Sequence, residues 1–127
     1  MPSVELFETR EIAGKPWGTE LVIAETKDYL GKVLFMKAGH RGGLQYHERK
    51  DETFYLYSGK ARVTFDAGNG LVMRVMKPGM SYHVPPGAVH QVEALVDSVF
   101  FEASTPVFND RVNVGEQYGC ADTSQSR

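Results

Sequence analysis

The stretch AGHRGGLQYHERKDETFYLYSG, residues 38–59, decides how this chain is read, because side chains with metal-binding atoms interrupt a run that otherwise alternates as strand, turn, strand. Gln45 and His47 lie two positions apart, and in an extended chain such residues share a face, so both point inward if Leu44 and Tyr46 point outward. Glu52 opens the next run on the same face as Phe54 and Leu56, which read as core; a carboxylate at the head of an apolar face requires a partner. A second stretch, KPGMSYHVPPGAVHQVEA at residues 77–94, holds the tight turn Pro85, Pro86, Gly87 and, three positions later, His90 on one face with Val92 and Ala94. A lone histidine on an apolar face is more often satisfied by hydrogen bonds than used as a ligand. Four ligand types at two spaced stretches favour the other reading: Gln45, His47, Glu52 and His90 make a three- or four-ligand site of mixed nitrogen and oxygen donors. Such a set suits a divalent metal, zinc first, with manganese, iron or nickel as alternatives.

Outward from these stretches, short β-branched and aromatic runs punctuated by glycine and proline dominate, with almost no sustained 3.6-residue repeat, which predicts an all-β chain. Candidate strands cover residues 4–8, 18–24, 31–37, 53–58, 60–66, 71–77, 81–84, 90–95 and 98–104, and so many short strands indicate a sandwich or small barrel. The DAGNG stretch at residues 66–70 suits a hairpin connection, and Ser58-Gly59 is a second break. Residues 109–118 read as a short helix or an irregular return across the barrel. Residues 1–119 form a single domain, and the small, polar residues 120–127 are expected to be a disordered tail.

A length of 127 residues fits one domain, and 42% hydrophobic with 24% charged residues is ordinary for a folded chain, excluding long disorder. Such a chain buries roughly two-thirds of its unfolded surface, enough for a core without disulfides. The single cysteine, Cys120, forms neither an internal disulfide nor a multi-cysteine zinc site, so a cytoplasmic location is expected. Fourteen basic residues against sixteen acidic ones, with no like-charge run, argue against a nucleic-acid partner. The first fifteen residues lack the basic start and apolar run of an export signal, and no stretch approaches the roughly 20 apolar residues that span a bilayer, so no membrane partner is expected.

The two quoted stretches resemble the paired motifs of the cupin superfamily. Gly39, Gln45, His47, Glu52 and Gly59 stand at the places of the first motif, and Gly79, Pro85, Gly87 and His90 at those of the second. Glutamine at position 45, where most metal cupins have histidine, resembles the cupin domain of the mannose-6-phosphate isomerase family, including the type fused to mannose-1-phosphate guanylyltransferase. KPWG (15–18), LQYHERKDE (44–52) and FNDRVNVGEQYG (108–119) resemble further segments of that branch, so the similarity spans residues 15–119. The chain departs from the branch at basic positions: Lys50, Val89, Gln91 and Asn113 occupy places where the family often carries a stronger or additional cation. Arg41, Arg49, Lys50 and Arg111 remain as cations able to meet a phosphate dianion.

The resemblance implies a double-stranded β-helix, a jelly-roll barrel, with Gln45, His47, Glu52 and His90 as metal ligands and a carbohydrate-like small molecule as substrate. It implies a metal-dependent sugar or sugar-phosphate isomerase or epimerase, with His83, Lys50 or an unligated oxygen of Glu52 moving the proton. The alternatives are a ferrous-iron dioxygenase using the same pocket and a non-catalytic carbohydrate-binding or sensing cupin. By the same resemblance a homodimer is expected, residues 4–8 adding to a neighbour's sheet. His83 also reads as a half-exposed strand residue, and His40 as solvated loop. Tyr55 and Tyr57 should face away from the metal. Trp17 and Tyr46 read as ring-stacking or packing aromatics, and Gly42 and Gly43 as conformational glycines.

Overall fold

A computed structural model describes residues 1–13 and 15–119; the polar tail 120–127, with Cys120, lies outside the described residues. The described residues form eleven strands: β1 (Arg10–Ile12), β2 (Gly18–Glu25), β3 (Leu30–Met36), β4 (Gln45–His47), β5 (Glu52–Ser58), β6 (Ala61–Asp66), β7 (Leu71–Met76), β8 (Ser81–Val84), β9 (His90–Ala94), β10 (Ser98–Ser104) and β11 (Arg111–Asn113). They build two antiparallel sheets, ordered β1-β2-β3-β10-β5-β8 and β11-β4-β9-β6-β7, which is the expected all-β barrel of jelly-roll type. Residues 109–118 resolve into β11 followed by a single 3₁₀ turn, Gly115–Tyr118. Among the described residues no helix is long and apolar enough to cross a membrane.

Period-two alternation sets the core. Along β5, Glu52, Phe54 and Leu56 are buried, while Tyr55 and Tyr57 are exposed on the outer face, where Phe101 of β10 stacks on both. Leu56 and Phe100 pack with Met36, Phe54, Val63, Met76 and Val84 between the sheets. Truncating Leu56, which is fully buried, to alanine removes about 2–5 kcal/mol. Two glycines are required by close approach as well as by backbone angle. A Cβ on Gly18 (φ 153°) would lie 1.8 Å from the Phe35 carbonyl oxygen, and one on Gly59 (φ 104°) would lie 2.3 Å from Ser98 Oγ. The DAGNG hairpin joins β6 to β7, with Gly68 and Gly70 in positive φ and Asp66 Oδ1 accepting from both of their N–H groups.

Residues 4–8, read as a candidate strand, form no strand among the described residues of a single chain and leave Val4, Leu6 and Phe7 exposed. Its residues have strand propensity, but β1 already occupies the free side of β2. His40 is buried rather than solvated. Backbone bonds from Gly39 N–H to the Ala94 carbonyl and from Ala94 N–H to the His40 carbonyl fold its turn against β9, leaving Nδ1 without a partner. Leu44 points away from Gln45 as expected, yet it too is buried, because Val114 folds over it and donates its N–H to the Leu44 carbonyl.

Candidate metal centre

Three ligand side chains are delivered by strand starts and ends that the turns fix in place. Gly87 N–H donates to the His47 carbonyl at 2.8 Å, so the proline-glycine turn that launches β9 is tied to the last residue of β4. Gln45 pairs with His90 in register across β4 and β9. The turn from β4 to β5 is held by one carboxylate, Asp110, whose Oδ2 accepts from the N–H groups of Arg49 (2.8 Å) and Lys50 (3.0 Å).

The buried side chains of His47, Glu52 and His90 each offer a ligand atom within 4.8 Å of the others. His47 Nε2 lies 3.4 Å and His90 Nε2 3.5 Å from Glu52 Oε2. The opposite ring nitrogens are already used: Nδ1 of His47 lies 2.8 Å from Asp110 Oδ1, and Nδ1 of His90 3.1 Å from the Ala88 carbonyl oxygen. Carboxylate and carbonyl oxygens only accept, so both Nδ1 atoms donate, and in the neutral rings both Nε2 lone pairs face the Glu52 carboxylate. Three acceptors converging in a buried space are mutually repulsive unless a cation or protons lie among them, so the donor set fits a divalent metal.

Charges beside the cluster are compensated. Lys50 Nζ bridges Glu52 Oε1 (3.3 Å) and Glu102 Oε2 (3.0 Å), and Ser104 Oγ also donates to Glu102 Oε2. Burial pulls the Lys50 pKa down, but the charges of Glu102 and Glu52 outweigh it and hold the ammonium above its ordinary value. Burial pushes Glu52 up, yet in the metal-free state, where protons rather than a metal lie between the rings and the carboxylate, the His90 hydrogen bond, Lys50 and His47 together keep it below the usual carboxylate range. Burial resists ionisation of Asp110 too, but the bonds from Arg49 N–H, His47 and Lys50 N–H bring it to about 2. Burial, with Glu52 and Glu102 adding, raises the Tyr82 hydroxyl well above its normal value, so this ring, stacked on Phe54, stays a neutral phenol. The cluster opens on a cavity of about 370 Å³ lined also by Trp17, Glu20, Lys32, Gln45, Glu102 and Arg111.

Residues 32–101 match the cupin domain family, more than half of the chain, and the motif residues fall where the barrel brings them together. The chain belongs to the cupin superfamily. A curated relative, mannose-1-phosphate guanylyltransferase RfbM of Salmonella typhimurium (strain LT2), is 32% identical over 79 residues, covering 62% of this chain and 16% of that protein. The cupin thus spans about a sixth of that relative's length. Among solved structures, the capsular polysaccharide assembling protein CapF of Staphylococcus aureus aligns with a TM-score of 0.73 at 20% identity, over 85% of this chain and 32% of that one. KdgF from Halomonas sp. aligns with a TM-score of 0.69 at 24% identity, over 80% and 89%. At these identities the structural likeness establishes the fold.

This cupin brings most of the expected site residues together and separates one. Gln45, His47, Lys50, Glu52 and His90 all line the main cavity. His83 lies outside that lining, on the exposed side of β8. Strand alternation turns Val84 inward and His83 outward, where its Nε2 lies 2.7 Å from Asp51 Oδ1 and the side chain is 57% exposed. It borders instead a second crevice of about 300 Å³, whose lining shares Tyr82 and His90 with the main cavity. Trp17 reaches the cavity, whereas Tyr46 points away from Gln45 and His47 and sits opposite Val112 of β11. Gly42 and Gly43 also line the cavity, with φ outside the left-handed region, so they provide room rather than an unusual backbone. Of the four remaining cations, Lys50 is engaged by two carboxylates, Arg49 is exposed, and Arg41 is not part of the lining. Arg111 alone of these four lines the cavity without an ion pair among the described residues.

Four charged residues at the site were not singled out from the sequence for the parts they play: Glu20, Lys32, Glu102 and Asp110. A signal existed for one, because Lys32 falls in the inward series Leu30, Lys32, Leu34, Met36, where a charge interrupts an apolar face. Asp110 had no such signal, since its role follows from β11 pairing with β4.

Proposed function

We propose that this cupin is a metal-dependent enzyme acting on a sugar or sugar-derived polyol, an aldose/ketose isomerase or epimerase. Gln45, His47, Glu52 and His90 hold a divalent ion, zinc first. The observation that carries this reading is the convergence of both histidine Nε2 atoms on Glu52 Oε2 with both Nδ1 atoms committed elsewhere. A bound ion supplies Lewis-acid polarisation of a substrate carbonyl and its neighbouring hydroxyl. Lys50, kept as an ammonium, donates to a substrate oxygen rather than taking a proton from carbon. The proton that leaves carbon passes to a flanking carboxylate, Glu52 or Glu102, and returns to the adjacent carbon, so the isomerisation needs no outside reagent. Trp17 offers its ring face to the C–H groups of a sugar. The likeness to part of a mannose-1-phosphate guanylyltransferase supports a sugar ligand.

The test is deuterium incorporation beside the carbonyl of a panel of aldoses and ketoses in D2O, using metal-loaded protein. Incorporation should vanish with a chelator and in His47→Ala and His90→Ala, and turnover that survives loss of both histidines would sink the mechanism. Saturable sugar binding without incorporation would leave a sensing or binding cupin. Two histidines and one carboxylate are also the donor set of ferrous oxygenases, which favours dioxygenase chemistry as the second reading. Oxygen consumption by the ferrous protein decides between them.

The homodimer belongs to the same reading. The exposed apolar segment at residues 4–8 and the outer stack of Tyr55, Phe101 and Tyr57 support association of two copies. Light scattering on a chain lacking residues 1–8 should show a shift from dimer to monomer.

A further inference from the structure

At the wall formed by β2 and β3, the cavity carries a second buried polar group that metal binding does not use. Lys32 Nζ lies 3.1 Å from Glu20 Oε2, with both side chains more than nine-tenths buried. Lys15 Nζ, one-quarter exposed, lies 3.6 Å from Glu20 Oε1, too far for a hydrogen bond, and that oxygen has no other partner. Lys32 has three N–H donors. Among the described residues one meets Glu20, the ammonium stands 5.3 Å from the centroid of the Phe108 ring, and no further acceptor is bonded. All four residues line the cavity.

The chemistry of a matching ligand follows from what is missing. Two ammonium groups face one contacting carboxylate, and the next nearest, Glu102 opposite Lys32 on β10, is already held by Lys50 and Ser104, so one positive charge here has no carboxylate in contact. It also presents one orphaned acceptor, Glu20 Oε1. A neutral polyol would satisfy the acceptor and leave the charge. A phosphate dianion would overshoot the charge and be repelled by Glu20. A carboxylate beside a hydroxyl meets both needs, the carboxylate on the ammonium groups and the hydroxyl donating to Glu20 Oε1.

We propose that this end of the cavity recognises the carboxylate of a sugar acid, with Lys32 and Lys15 binding the carboxylate and Glu20 accepting from a neighbouring hydroxyl. The assignment rests on the sugar-directed reading of the cavity and names its substrate class. The test is calorimetric binding to the metal-loaded protein of glucuronate, galacturonate and mannuronate, each against its parent hexose, together with the hexose 6-phosphates. At least one uronate should bind about tenfold or more tighter than its hexose, the size expected for a charge-assisted contact. That preference should disappear in Glu20→Gln/Lys32→Met, which removes both buried charges together, and shrink in Lys15→Met, where the side chain is partly exposed. Metal content per chain should be unchanged in both variants. Equal binding of acid and hexose, a preference for phosphate, or a uronate preference that persists in these variants would overturn the proposal; persistence would put the carboxylate on the metal. Metal-dependent binding of a hexose without any acid preference would remove the sugar-acid assignment and leave the sugar-directed function standing. Failure of every sugar to bind would remove both.

Discussion

The two ends of the cavity are both buried and both polar, yet they are built on opposite principles. At the histidine end, Nε2 of His47, Nε2 of His90 and Glu52 Oε2 gather three acceptors, and partners behind the rings aim them at one point. At the lysine end, Glu20 and Lys32 compensate each other directly, Lys15 adds a single charge, and Glu20 Oε1 is left as a single acceptor. The first arrangement gains stability by taking something in; the second is stable alone and selects what lies beside it. Removing one member should therefore have different consequences at the two ends.

The largest effect on folding should come from the lysine end. Lys32→Met leaves the Glu20 carboxylate buried without its partner and should cost about 3–5 kcal/mol in urea unfolding, with most of that recovered in Glu20→Gln/Lys32→Met. Equal destabilisation by the single and double variants would break the comparison, since the pair would not then be compensating. Next comes metal removal at the histidine end. Free metal at a hundredfold excess over its Kd should raise stability by about 2.7 kcal/mol, an increment that a chelator abolishes and His90→Ala never shows. Asp110→Asn should follow, weakening metal binding about 10–100-fold by loosening the His47 ring while leaving the folded state populated. A metal titration checks it, and unchanged affinity would mean that β4 alone orients His47.

The smallest effect is a slope in the acid limb. Asp110 is held at about 2, below its unfolded value near 3.9, so its contribution is complete above the unfolded value and is lost as pH falls through the folded one. Metal-free protein should therefore lose stability between about pH 4 and pH 2, and Asp110→Asn should flatten that stretch of the curve. An identical slope in the variant would assign the acid sensitivity to other carboxylates.

The histidine end was legible in the sequence because its information is local. Residues two apart on a strand share a face, and a proline-glycine turn aims a strand, so His47, Glu52 and His90 could be placed on inward faces from spacing alone. At His83 the sequence left two readings open, because one step of strand parity decides between cavity and solvent, and β8 carries Val84 inward. At the lysine end the sequence carried a signal at Lys32 but not its pairing with Glu20, which β2 and β3 make, and Asp110 was hidden because it reaches His47 from 63 positions away. Residues 4–8 show that propensity marks what can form a strand, whereas pairing needs a free edge, and within one chain the edge of β2 is taken by β1. His40 shows the limit of reading loops as solvated when a neighbouring strand can fold over them.

The pairing of β4 has a consequence for how the protein is made. This short strand meets β9 at one register position, Gln45 with His90, and meets β11 at three. Every side chain of the candidate metal group has left the ribosome once residue 90 emerges, but the carboxylate that fixes the His47 tautomer and the turn after it arrives only with residue 110. A nascent chain paused between those points displays histidines and a glutamate without the geometry that makes them selective. The geometry that orients His47 is therefore completed only in the closing stage of synthesis.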